Sequence, residues 1–122
     1  MNFNAGTVGS VAGGAGDDTF DFNGGTVTGA VDGGTTGETD GDLIDLAGAA
    51  ATQSVNLQTS VATGSGSFVS IERFTGNNTD ATLIGPDGGA TFTVITENDG
   101  TVDTITFTDF NNLTGGSGED TF

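Results

Sequence analysis

A chain of 122 residues has room for one domain, and its 23 glycines argue against helix, because glycine costs about 1 kcal/mol per interior helical position relative to alanine. Seventeen acids against one arginine give a formal net charge of −16, which excludes nucleic acid as a partner and disfavours an anionic membrane surface. With no His, Cys, Lys or Tyr, most general bases and nucleophiles are missing, so the chain is not expected to be an enzyme.

In chain order, residues 3–12 alternate loosely, with Phe3, Ala5, Val8 and Val11 apolar. Thr19–Phe22 reads as a short strand, Asn23–Gly25 as a turn and Thr26–Asp32 as a second strand. Gly33–Asp42 reads as a ten-residue turn, rich in Gly and carrying Glu38, Asp40 and Asp42. Leu43–Leu46 is the next strand. Gly48–Ala51 is the one candidate helical turn, too short to be stable alone. Strands follow at Ser54–Leu57 and Ser60–Ala62, then a Gly/Ser turn over Thr63–Ser67, then Phe68–Ile71 and Phe74. Thr82–Ile84 is a strand and Gly85–Gly89 a turn. Thr91–Thr96 and Thr101–Phe107 are the clearest strands. Glu97–Gly100 between them is a good hairpin signal, but two successive strands of a coiling chain fit the other turns better. No stretch approaches the roughly 20 apolar residues of a membrane span. Met1–Asn4 has neither the basic region nor the apolar run of a signal peptide, so a secretion signal is expected outside these residues.

One motif recurs. Gly13-Gly14-Ala15-Gly16-Asp17-Asp18-Thr19-Phe20 returns 102 residues later as Gly115-Gly116-Ser117-Gly118-Glu119-Asp120-Thr121-Phe122. A weaker copy runs from Ile71-x-x-Phe74-x-Gly76 to Asp80-Ala81-Thr82-Leu83. The shared pattern is apolar-x-x-apolar-x-Gly, an acid four residues on, then Thr and a large apolar residue. Gly33–Asp42 looks like the same turn with residues inserted. The repeat makes residues 1–122 one module, in which 21–122 is one period of 102 residues and 1–20 the end of a preceding one. Short strands separated by Gly- and Asp-rich turns define an all-β chain. A parallel β-solenoid of about 20 to 25 residues per coil fits best, with a β-sandwich as runner-up.

Gly13-Gly14-x-Gly16-x-Asp18-x-Phe20 resembles the repeats-in-toxin (RTX) nonapeptide of calcium-binding parallel β-rolls, and the copy at Gly115–Phe122 matches it to its last residue. The resemblance implies Ca²⁺ held by the Asp18 and Asp120 carboxylates and by the carbonyls of Gly13, Gly16, Gly115 and Gly118. The motifs here stand alone, with no second copy nine residues on, so other turns, such as Asp32–Asp42 or Asp80, would have to complete each half-site. Thr26–Gly34, Asp42–Gly48, Ser70–Phe74 and Asn111–Gly116 are similar to stretches of the long repeat arrays of giant secreted bacterial adhesin- and haemagglutinin-like proteins. That resemblance implies an extracellular or cell-surface structural module of a filament, stalk or surface layer, partnered by copies of itself or by neighbouring repeats head to tail. The alternative is an adhesin whose Thr-x-Thr triplets, Thr26/Thr28, Thr91/Thr93 and Thr104/Thr106, face a glycan or ice surface.

Overall fold

Alternation puts Phe20 and Phe22 on one side of an extended chain, and both are buried while Thr19 between the turn and Phe20 is exposed. The same logic, applied to short runs of Val, Ile, Leu, Phe and Thr, builds the whole molecule. The computed structural model describes residues 1–50 and 52–122. The helical turn expected over Gly48–Ala51 includes Ala51, which lies outside the described residues. Ala47 and Gly48 form a single turn, in which the Ala49 N–H donates to the Leu46 carbonyl at 2.9 Å.

The first strands are β1 (Asn2–Phe3), β2 (Thr7–Val8), β3 (Val11–Ala15), β4 (Thr19–Phe22) and β5 (Thr26–Thr36). Next come β6 (Leu43–Asp45), β7 (Ser54–Asn56), β8 (Val61–Ala62), β9 (Ser65–Val69) and β10 (Arg73–Thr75). The last are β11 (Thr82–Ile84), β12 (Phe92–Thr96), β13 (Asp99–Val102), β14 (Ile105–Thr108) and β15 (Asn112–Thr114). The described residues contain no helix, so the chain is all-β, as expected.

Three sheets share the strands. The longest has the order β1-β4-β6-β10-β14-β13-β12. Its first four pairings are parallel and its last two antiparallel. A second runs β15-β11-β7-β8, with two parallel pairings and one antiparallel. In the third, β2 and β3 pair with one edge of β5 and β9 with the other, all parallel. Two of the three sheets are therefore mixed, where a purely parallel arrangement was expected.

Register places the large apolar residues in columns. Phe20 pairs with Ile44, Ile44 with Phe74, and Phe74 with Phe107. All four are buried. Val55, Leu83 and Leu113 form a second column and Val11, Val31 and Phe68 a third. The three columns meet in one core, where Phe68 and Phe74 make an edge-on contact at 4.9 Å. Each fully buried side chain of this size contributes about 1.5–3 kcal/mol.

Three expectations need correction. Gly33–Asp42 is not all turn, because β5 continues through Thr36. Gly34, at φ 123°, lies directly on the Gly14 carbonyl, so the glycine pair serves close strand packing before any turn begins. The Gly/Ser turn over Thr63–Ser67 shrinks to Thr63-Gly64, since Ser65–Ser67 belong to β9, where Gly66 packs on the Thr28 carbonyl. Finally, residues 92–108 are two antiparallel hairpins rather than successive strands of a coil. Their turns centre on Glu97-Asn98 and Asp103-Thr104, with Asn98 and Asp103 in the left-handed region at φ 65° and 51°. Asn and Asp tolerate that conformation well enough to reverse the chain without glycine. Gly100 lies inside β13, buried against Thr93 and the Phe107 ring.

Asp99 holds these hairpins together. Its Oδ1 accepts the Asp109 N–H at 2.9 Å and its Oδ2 the Thr96 hydroxyl at 2.8 Å. These bonds, the Asp109 amide first, hold its carboxyl below the usual value of 3.8. A carboxyl depressed in the folded state contributes stability that is present above its unfolded value and lost as pH falls through its folded value. Asp99→Asn is therefore expected to lower Tm at neutral pH, with the gap to wild type closing as pH falls below the ordinary carboxylate range. A gap that stays constant through the acid range would show that the Asp99 charge is not what stabilises the hairpins.

Candidate functional site

The recurring motif has a packing rationale. In its first copy the Asp18 carboxylate lies against the Cα of Gly13, where any Cβ would stand. In the last copy Asp120 lies in the same way against Gly115. Asp42 repeats the arrangement against Gly33, with four more residues between the two. In the copy that begins at Gly76, Ala81 takes the place of the Asp. The glycine five residues before the Asp is thus required by the side chain folded back upon it.

The copies occupy different junctions. The first joins β3 to β4, the inserted one β5 to β6, and the Gly76 copy β10 to β11. The last follows β15 and ends at a bridge between Thr121 and Thr91. Since β3 pairs with β5 and β4 with β6, the first two junctions are neighbours. The β9–β10 junction, Ser70–Glu72, is the next, because β9 pairs with β5 and β10 with β6.

This stacking produces a ladder of acids. Asp18, Asp42 and Glu72 each precede a member of the Phe20–Ile44–Phe74 column by two residues. Asp42 Oδ1 accepts the Asp18 N–H at 2.7 Å, and Glu72 Oε2 accepts the Asp42 N–H at 3.0 Å. Each carboxylate thereby satisfies an amide of the junction before it, a stronger bond than a neutral pair would make. Backbone bonds run alongside: Leu43 N–H donates to the Asp18 carbonyl at 2.9 Å and Arg73 N–H to the Asp42 carbonyl at 3.0 Å.

Around the ladder the inserted loop adds a third carboxylate. One carboxylate oxygen from each of Glu38, Asp42 and Glu72 lies within 4.8 Å of the others. Asp42 is fully buried. Its Oδ2, Glu38 Oε1 and Asp18 Oδ2 are buried without any hydrogen-bond partner. Glu38 is pushed above its usual 4.5 by burial first and then by the charges of Glu72, Asp42 and Asp17. Asp17 is held below 3.8, chiefly by the Thr39 and Asp40 amides that donate to it. It clamps the tip of the same loop, with the Thr39 N–H at 2.8 Å and the Gly41 N–H at 3.1 Å.

The residues singled out by the RTX resemblance are placed as follows. Gly13 is in β3, and the Gly16 N–H donates to the Thr36 carbonyl at 2.8 Å. Asp18 is half-buried beside Asp42. Gly115 and Gly118 lie in the loop after β15, where Asp120 Oδ1 accepts the Ala90 N–H at 2.9 Å. The two copies do not come together. Of the turns considered as completing partners, Asp42 meets the first copy, Asp32 is exposed on β5, and Asp80 closes on Asn77 at 2.6 Å. Sequence reasoning put Glu38 inside the Gly33–Asp42 turn, and Glu72 within the Ser70–Phe74 stretch. It did not join the two, although the acid-x-apolar spacing shared by Asp18, Asp42 and Glu72 is visible in the sequence.

The six triplet threonines are all exposed, but Thr26 and Thr28 lie on β5 while Thr93 and Thr106 flank Thr101 across β12, β13 and β14 in another sheet. They do not make one rank. A mostly apolar cavity of about 280 Å³ opens over Phe22, between Gly24-Gly25 and Thr63-Gly64. Comparison with protein-family models, with curated proteins and with solved structures finds no match for this chain.

Proposed function

We propose that the chain is a non-catalytic structural module, a short β-solenoid that stacks end to end in an extracellular bacterial filament, stalk or surface layer. The observation that carries this reading is the order of the longest sheet. Strands β1, β4, β6, β10 and β14 pair in parallel and in sequence order, and the inward column Phe20–Ile44–Phe74–Phe107 runs from β4 to β14. Parallel partners joined by chain that passes through one or both of the other sheets in between are what successive rungs of a coil produce. The hairpins β7–β8 and β12–β13 are, on this reading, excursions from the coil.

Self-stacking follows from the edges. β1 and β12 bound the longest sheet, and an edge strand presents unpaired backbone groups to any strand that reaches it. β12 is uncharged and carries Val94 and Ile95, 57% and 69% exposed. Aromatic residues close the pile at both ends: Phe3 stacks on Phe22 at 4.9 Å and Phe122 on Phe92 at 4.5 Å. Phe122 remains 68% exposed, a surface for a further unit. The net charge of −16 opposes association, so added salt should favour it.

Sedimentation velocity over a range of protein and salt concentrations tests the proposal. The expected result is species larger than 12.0 kDa that grow with both, and that disappear on replacing Val94 and Ile95 by Glu. A wild-type chain that stays monomeric at high concentration in molar salt would overturn self-stacking.

A further inference from the structure

We infer that Glu38, Asp42 and Glu72 form a binding site for one hard divalent cation, with calcium the best fit, that ties the inserted loop to the β9–β10 junction. The site differs from the Gly13–Asp18 and Gly115–Asp120 turns, and it does not depend on whether the chain stacks.

Three carboxylates converge within 4.8 Å. That spread suits calcium, because oxygens bound to one ion at 2.3–2.6 Å lie at most about 5 Å apart. The smaller, stricter magnesium would require a tighter cluster. Convergence alone would describe many acidic surfaces. What separates this cluster is the fully buried Asp42, whose Oδ2 has no donor, together with Glu38 Oε1, buried and equally unpartnered. A buried carboxylate oxygen without a partner is costly and is found where something else supplies the positive charge. No side chain can do so in this chain beyond its single arginine, Arg73.

Two of the three carboxylates are already fixed by one oxygen. Asp42 Oδ1 holds the Asp18 amide and Glu72 Oε2 the Asp42 amide. These two are therefore oriented before any ion arrives, which reduces the ordering cost of binding. Glu38 and Asp42 come from the loop that Asp17 clamps and Glu72 from the junction stacked on it, so the ion would join the two junctions. The Ser70 carbonyl, which packs beside Asp42 over Gly33, is an additional oxygen at the same place.

Isothermal titration of the chelator-stripped 122-residue chain with CaCl₂ and, separately, MgCl₂ tests the inference, together with Tm at each step. One saturable calcium site per chain is expected, with a rise in Tm and weaker binding of magnesium. Glu72→Gln keeps an oxygen acceptor for the Asp42 amide and should fold, yet raise the calcium Kd at least about tenfold. Glu38→Gln should do the same. Glu119→Gln, an exposed acid at another junction, should leave the Kd unchanged. Binding that is weak, non-saturating and equal in all three variants would overturn the site. So would a Tm that ignores calcium while Glu38→Gln raises it, since the buried oxygens would then be sharing a proton.

Discussion

Phe74→Ala should be the most destabilising truncation in the core, by about 3–5 kcal/mol in urea denaturation. Phe74 is 1% exposed. It stands in register between Ile44 and Phe107 and meets Phe68 edge-on at 4.9 Å. It therefore belongs to the inner column of the longest sheet and also touches the column of the third. Removing the ring leaves a cavity that short, mutually hydrogen-bonded strands cannot collapse to fill. Domains of this size have about 5–15 kcal/mol to lose, so the variant should unfold at much lower urea or fail to fold at 37 °C. Ile95→Ala, at a side chain 69% exposed, is the contrast and should stay within about 0.5 kcal/mol of wild type. A loss below about 1 kcal/mol at Phe74 would mean that the columns are not the core.

Gly33→Ala should be nearly as severe, for a different reason. Gly33 does not need a left-handed backbone, so alanine is not excluded by torsion. It is excluded by space: a Cβ would overlap both the Ser70 carbonyl and the Asp42 carboxylate. One of these is backbone in the next paired strand junction and cannot swing away. The expected cost is about 3 kcal/mol, the upper end for overpacking. Two other glycines separate the causes. Gly14 has open space around its Cβ position but φ 112°, so Gly14→Ala should cost about 1–2 kcal/mol through backbone strain alone. Gly9 has neither constraint, and Gly9→Ala should be neutral or slightly stabilising. Equal effects at all three positions, measured by the same urea titration, would remove the close-packing account of the motif.

Much of the strand pattern was legible because strands and turns alternate in composition. Thr19–Phe22 and Thr82–Ile84 have the bounds read from alternation, and Leu43–Leu46 differs by one residue. The failures share a cause. At Gly33–Thr36 and Ser65–Ser67 the small residues signal turns locally, yet they are where strands approach too closely to carry side chains. Local propensity cannot distinguish a glycine that bends the chain from one that lets another backbone in. The hairpins over 92–108 were misread because a coil suits the other turns: the first reverses at Glu97-Asn98, inside the segment that signals a hairpin, and the second at Asp103-Thr104, inside what reads as one strand.

The acidic site was half legible. The glycine-to-aspartate spacing identified a real packing unit, and Gly33–Asp42 was recognised as its longer form. The partnership of Glu38 with Glu72 was not accessible, because it depends on the register of β6 against β10 and β5 against β9. Register fixes which residues of distant segments become neighbours, and no single segment encodes it.

The parallel register of the longest sheet is the foundation of the account, and NMR of the 12.0 kDa chain measures it directly. Cross-strand Hα–amide contacts in the parallel pattern are expected between residues 43–45 and 73–75 and between 73–75 and 106–108, with Ile44, Phe74 and Phe107 abreast. Close Hα–Hα contacts between these segments, or contacts offset by one residue, would contradict it, because an antiparallel or slipped pairing would turn the Phe column out of the core and separate the three acids.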